Sequence, residues 1–257
     1  ADGDAGSALL LRVPEKKLCL AVLANSGNMS GSTRLGYGDA LDSPFTVAFL
    51  KHFVHAGETP HPSPPYDGDL AEIRAATADL IQKQAHPIYF EELFTQAVIR
   101  ELMAGPNHDR RKATGLLEIA LDLRPEILRD SGLTGLEVLA KLDDPKLGPA
   151  AVSLAQSLLQ TPAPHPAALF FGAEIFEKAG RRAESVRLLQ RLADSSFEDD
   201  PLTFDACVKM GEHFSKISAE RARAYFWRAV RIGSASPGRS QAKLDRALQL
   251  LNALDRP

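Results

Sequence analysis

Histidine and carboxylate side chains are the first residues to weigh for chemistry in this chain. His86, His108, His165 and His213 are scattered, and none forms a His-x-x-x-His or Glu-x-x-His pair. A helical metal site needs ligands three or four residues apart on one face, so this spacing gives no reason to expect one. Glu212 and His213 are adjacent, and neighbours on a helix point to different sides. Asp39 and Asp42, three apart, suit capping of the following helix or plain solvation, or else a cation. The loop around them, "NSGNMSGSTRLGYGDALD" (25–42), has four glycines and several hydroxyls but lacks the Gly-Lys-Ser/Thr of a phosphate loop. A second Gly-rich stretch opens the chain, with Asp2, Gly3, Asp4 and Gly6. Taken alone, its glycines read as a tight loop entering a strand. Cys19 and Cys207 are far apart and read as two separate buried thiols.

Positioning any of these residues is the task of the surrounding elements. "SALLLRV" (7–13) and "KLCLAVLA" (17–24) read as strands, and Pro14-Glu15-Lys16 between them as a turn, which makes an antiparallel hairpin. The second run is apolar on both faces, with Leu18, Leu20 and Val22 alternating with Cys19, Ala21 and Leu23. Such a strand is normally covered above and below. "SPFTVAFLKHFV" (43–54) follows as a helix, with Ser43 as N-cap, Pro44 at its first position and Phe45, Ala48, Phe49 and Phe53 along one face. "HAGETPHPSPPYDG" (55–68) holds four prolines and reads as a semi-rigid linker. Beyond Asp69 the periodicity is helical throughout, predicting helices near 69–84, 89–104, 109–123, 133–142, 147–160, 166–179, 182–194, 202–216, 218–232 and 238–254. The expected fold is therefore mostly α. A hairpin-plus-helix region (1–54) and a linker (55–68) precede an α-helical hairpin-repeat domain (69–257).

A two-stranded hairpin is marginal alone, and one helix covers one face only. The remaining apolar face would be an aggregation hazard. The physical expectation is that partner strands and a covering layer come from elsewhere, preferably from sequence upstream of Ala1.

The stretch "DGDAGSALLLRVPEKKLCLAVLANS" resembles the C-terminal strands of the β-lactamase-related serine hydrolases, the penicillin-binding-protein-like superfamily. Members show a His-x-Gly or Lys-Thr-Gly box, a Gly-rich stretch, a strand, a turn and a strand ending in Leu-Ala-Asn. Here Asp2-Gly3 and Asp4-Ala5-Gly6 are similar to the box and its continuation. Arg12-Val13-Pro14-Glu15 is similar to the turn, Leu23-Ala24-Asn25 to the strand end, and 42–54 to the closing helix. The resemblance covers about a fifth of the chain. It implies amide or ester hydrolysis through an acyl-serine in an intact parent, with Asp2, Gly3 and Asp4 on the substrate and oxyanion loop and Asp4 supplying the oxyanion N–H. The pattern departs in two places. Ala1 stands at the Lys/His position of the box, and Ser43 is followed three residues on by Thr46 instead of Lys. Nucleophile and base are therefore expected in an upstream catalytic segment, and the chain alone is expected to be inactive. Relatives of this kind are often exported, which implies an extracytoplasmic setting. No cofactor is implied.

The helical region has internal similarity. "FFGAEIFEKAGRRAESVRLLQRLAD" (170–194) aligns with "KMGEHFSKISAERARAYFWRAVRIG" (209–233). Gly172 matches Gly211, Phe176 falls near Phe214, and Ser185, Leu189 and Leu192 match Ala222, Phe226 and Ala229, at separations of 37 to 39 residues. This resembles degenerate tetratricopeptide-like helix pairs (or their Sel-type relatives), which stack into a continuous core with a concave face for a protein or peptide. "HDRRK" (108–112) and "GRRAESVRLLQR" (180–191) read as solvated helix faces, and Trp227 with Phe226 and Tyr225 as core and groove packing.

Composition narrows the partners. The 257 residues carry a net charge of −3 and 7% aromatics, giving no reason to expect nucleic acid or an acidic membrane. No apolar run reaches the roughly 18 residues of a membrane span. The competing reading is a non-enzymatic helical scaffold whose N-terminal hairpin docks to another protein.

Overall fold

The computed structural model describes residues 7–24, 44–56, 68–83, 93–94, 96–98, 100–101, 109–142, 144–197, 200–235 and 241–254. The chain is mostly helical, with a small two-stranded antiparallel sheet near its N-terminus. It divides into two compact units between Leu147 and Gly148.

The N-terminal unit begins with β1 (Ser7–Val13) and β2 (Leu18–Ala24). Pro14–Lys16 forms a single 3-10 turn, and Lys17 closes it in the left-handed region (φ 55), donating its N–H to the Pro14 carbonyl at 3.0 Å. The register pairs Leu9 with Val22, Leu10 with Ala21 and Leu11 with Leu20. Cross-strand partners share a face, so burial alternates along both strands. Leu9, Leu11, Val13, Leu18, Leu20 and Val22 are half-buried. Ala8, Leu10, Arg12, Cys19, Ala21 and Leu23 are exposed, Leu10 at 68% and Leu23 at 82%. The two apolar faces expected of β2 are thus present, and one is open to solvent. Cys19 lies on that open face, so the expectation of two buried thiols holds for Cys207 alone.

The following helix differs from its predicted face. Helix α1 (Pro44–Phe49) runs into a π-helical turn (Leu50–Val54). Extra residues in a turn rotate the register. The buried side chains are Thr46, Phe49 and Val54, whereas Phe45, Ala48 and Phe53 are exposed. Phe53 stacks on Phe49 with ring centroids 5.6 Å apart.

Helix α2 (Leu70–Gln82) starts at a full capping box. The Glu72 N–H donates to Asp69 Oδ1 at 2.8 Å, and the Asp69 N–H donates to Glu72 Oε2 at 3.4 Å. Its buried stripe is Ile73, Thr77 and Leu80, at helical spacing. It packs on α3 (Arg110–Leu123), where Gly115 abuts the Leu70 methyls and Arg74 bonds Asp122 at 2.6 Å. Helix α4 (Ile127–Leu142) begins six residues before its predicted start of 133 and is interrupted at Gly132, whose φ of 57 and ψ of −125 only glycine adopts cheaply. The described residues of 93–101 are helical, and Leu93, Phe94, Ala97 and Val98 are buried. From the stretch 55–68, only His55, Ala56 and Gly68 are described.

The C-terminal unit holds α5 (Gly148–Leu159), α6 (Pro166–Lys178), α7 (Arg182–Ala193), α8 (Pro201–Phe214), α9 (Ala219–Ala235) and α10 (Gln241–Ala253). Each packs on the next in chain order, and α8 also reaches back to α6. Sequence cues set the ends. Asp200 caps α8 by accepting from Leu202 N–H at 2.8 Å, with Pro201 at the first helical position. His165 plays the same part for α6, its Nδ1 accepting from Ala167 N–H at 3.2 Å. Helix α6 is buried nearly all round, from Pro166 to Phe176, which marks it as the central element. The pattern Ser185, Leu189, Leu192 on α7 and Ala222, Phe226, Ala229 on α9 is buried at every position. Glycine permits the closest approach: a Cβ on Gly211 would lie 2.5 Å from the Phe226 ring.

Candidate functional site

The Asp2, Gly3 and Asp4 loop lies outside the described residues, as do the Gly-rich loop 25–42, His86 and His108. The other sequence candidates do not converge. His165 is a helix cap, and His213 sits edge-on to Phe214 with ring centroids 5.1 Å apart. Glu212, its neighbour in sequence, is turned to Arg246 at 3.4 Å. Among the described residues no group of three His, Cys, Asp or Glu is arranged to hold a metal ion. Of the aromatics expected to pack in core and groove, Phe226 is buried while Trp227 beside it is 57% exposed.

A groove of about 580 Å³ in the C-terminal unit does bring polar and apolar groups together. Its construction starts at the end of α6. Gly180 takes a left-handed φ of 76, its N–H donating to Glu177 at 3.0 Å, while the Arg181 N–H donates to Phe176 at 2.8 Å. This is a Schellman stop, which brings the residue after the glycine back against the last turn. An apolar contact usually fills that position. Here the Arg181 guanidinium does so, 4.3 Å from the centre of the Phe176 ring.

Arg181 is then gripped by Glu184, Nε to Oε1 at 2.6 Å and Nη2 to Oε2 at 2.5 Å. The two-pronged geometry is the one guanidinium and carboxylate share. This hydrogen bonding raises the Arg181 guanidinium above its ordinary value and holds the Glu184 carboxyl below the carboxylate range. Glu184, Arg187, Leu188 and Arg191 stand at i, i+3, i+4 and i+7, so they line one face of α7. Arg191 also donates to the Pro162 carbonyl at 3.2 Å, and Arg187 adds a second favourable charge beside Glu184.

The apolar surface comes from Leu159, Phe176 and Leu188. Gly172 helps set it: a Cβ there would come within 3.3 Å of Leu159 and 3.6 Å of Leu188. A bare backbone at this point lets side chains of α5 and α7 both lie close against α6. The result is an apolar trough edged by three arginines and one glutamate, a surface for ligands with carboxylates and a hydrophobic part.

Sequence reasoning took 180–191 for a solvated face. The signal for the groove was present as the 184/187/188/191 spacing, with leucine between arginines. A smaller, more polar hollow of about 250 Å³ lies where α6, α7 and α8 meet, edged by Arg182, Lys209 and His213.

Comparison of the chain with family models, with curated proteins and with solved structures finds no match.

Proposed function

We propose that this chain joins the closing strands of a β-lactamase-related serine hydrolase domain to a helical-hairpin module that binds protein. The observation that supports the first half is the hairpin itself. Leu10 and Leu23 stand in solvent on a face that is apolar along both strands, apart from Arg12, and a sheet of this composition is stable when further strands and a layer cover it. The succession of sequence motifs from Asp2 to Asn25, similar to that family's, supports this identity for the sheet. The parent reaction is hydrolysis of an amide or ester through an acyl-serine. That reaction requires a Ser-x-x-Lys nucleophile and base, which the hairpin and its closing helix do not supply.

For the second half, the support is the serial packing of α5 to α10 and the matched buried pattern on α7 and α9. Paired helices of this kind expose long grooves that suit peptide segments better than small metabolites.

The test is made on the full-length gene product containing this chain. Incubation with a penicillin and with p-nitrophenyl esters is expected to leave a covalent adduct on a serine by intact mass, and to release p-nitrophenol. A full-length product that neither acylates nor hydrolyses any of these overturns the hydrolase half. A scaffold whose hairpin docks on another protein is the second reading, favoured by the same open face of Leu10, Ala21 and Leu23.

A further inference from the structure

We infer that the groove between α5 and α7 binds an extended acidic peptide segment carrying at least one apolar residue. The inference rests on the protein-binding reading of the helical module and names the chemistry of its partner.

Charge decides the class of ligand. Glu184 is answered by Arg181 with both of its oxygens, so it offers little attraction to an incoming cation. Arg187 and Arg191 then leave the groove with an excess of positive charge, on a protein whose net charge is −3. A local basic site on an acidic molecule attracts short acidic ligands at close range and repels long polyanions from afar. Screening in physiological salt, with a decay length of about 8 Å, limits the attraction to groups that enter the groove.

Spacing decides the conformation. Arg187 and Arg191 are four residues apart on one helix, a rise of about 6 Å. Alternate residues of an extended chain are about 6.6 Å apart and point the same way. Two carboxylates in a Glu-x-Glu arrangement therefore match the spacing of the two guanidiniums, Arg191 keeping one N–H on the Pro162 carbonyl and offering its others. The intervening residue turns to the other side of the groove, where Leu159 provides apolar surface. Arg181, already held over Phe176 and clamped by Glu184, serves as a fixed end to the trough.

The experiment is fluorescence anisotropy on the whole chain with a labelled Glu-Leu-Glu-Leu-Glu peptide, its Gln-Leu-Gln-Leu-Gln counterpart and a single-stranded oligonucleotide of equal charge. The acidic peptide is expected to bind at least tenfold more tightly than the other two, and to weaken as salt rises from 50 to 300 mM. Arg187→Gln with Arg191→Gln is expected to cost at least tenfold. Arg111→Gln with Lys216→Gln, which removes the same charge elsewhere, is expected to cost less than twofold. Both arginines of the first pair lie on the helix surface, and circular dichroism checks that the fold is kept. Equal binding of the acidic and neutral peptides, or full affinity in the Arg187/Arg191 variant, overturns the acidic-segment inference and leaves the protein-binding reading standing. Tighter binding of the oligonucleotide overturns the inference in favour of nucleic acid. Absence of binding by all three probes overturns the inference as well; the protein-binding reading itself falls only if libraries of unrelated peptides also fail.

Discussion

The N-terminal hairpin and the C-terminal helices are both built from strongly apolar segments, yet they bury them very differently. None of the strand residues 8–13 and 18–23 is buried, although β2 reads Leu-Cys-Leu-Ala-Val-Leu-Ala. In α6, by contrast, all but one residue from Pro166 to Phe176 is buried, with α5, α7 and α8 packed on it. Helices close their own backbone hydrogen bonds and need only neighbours for their side chains. The helical unit carries those neighbours in sequence order. A strand needs both side-chain cover and edge partners, and β1 supplies one edge of β2. Equal hydrophobicity therefore yields unequal burial, because burial belongs to the company a segment keeps.

Substitutions sharpen this contrast. The largest effect is expected from Phe226→Ala, which empties the contact over Gly211 and should cost about 3–5 kcal/mol in denaturant unfolding of the helical unit. Gly211→Ala follows: its Cβ would press on that rigid ring, so about 1–3 kcal/mol of overpacking should outweigh the helix propensity gained. Combining it with Phe226→Leu should cost less than the two single changes added, and simple additivity would show that the pair is not in contact. Removing a cap is smaller, about 1 kcal/mol for Asp200→Ala or Asp69→Ala, read by melting temperature.

Alkaline titration gives a further test. Burial first, then the Asp194 carboxylate and the hydrogen bond to it at 3.1 Å, push the Tyr225 phenol up to about 12. The unfolded phenol titrates near 10, so the folded state holds its proton more tightly. The stabilisation is full below pH about 10 and is lost as pH rises from there to about 12. Tyr225→Phe should flatten that part of the stability profile, and an unchanged slope would break the assignment. The smallest effect belongs to the hairpin. Leu10→Ser and Leu23→Ser should each shift the stability of this chain by no more than about 0.5 kcal/mol. A loss of several kcal/mol at either position would mean that the open face is covered after all, and would erase the contrast.

Much of the architecture was legible in the sequence. The hairpin, its Pro-Glu-Lys turn and most helices fall within a few residues of their predicted bounds, because alternation and the 3.6-residue period are local signals. Besides the start of α4 and the 180–191 face, three burial readings needed correction. Phe45 and Ala48 of α1 point outward because Thr46 and Phe49 fill its inner side, and the π-helical turn after Phe49 puts Val54 inside in place of Phe53. Trp227 is exposed because Ala222, Phe226 and Ala229 already fill the inner face of α9. Cys19 is exposed because it falls on the open side of β2. The candidate groove was half legible. Its arginine spacing is visible on α7, whereas its apolar surface needs Leu159 of α5 and Phe176 of α6.

By itself the sequence determined which segments are strands and helices, where caps and glycines end them, and which residues share a face, since each of these depends on neighbours within a few positions. Only the tertiary structure decided which of those faces is buried. It also decided that Leu159 of α5 and Leu188 of α7 both come up against Gly172 of α6. Burial and convergence depend on contacts between segments far apart in the chain, and no local pattern encodes those distances.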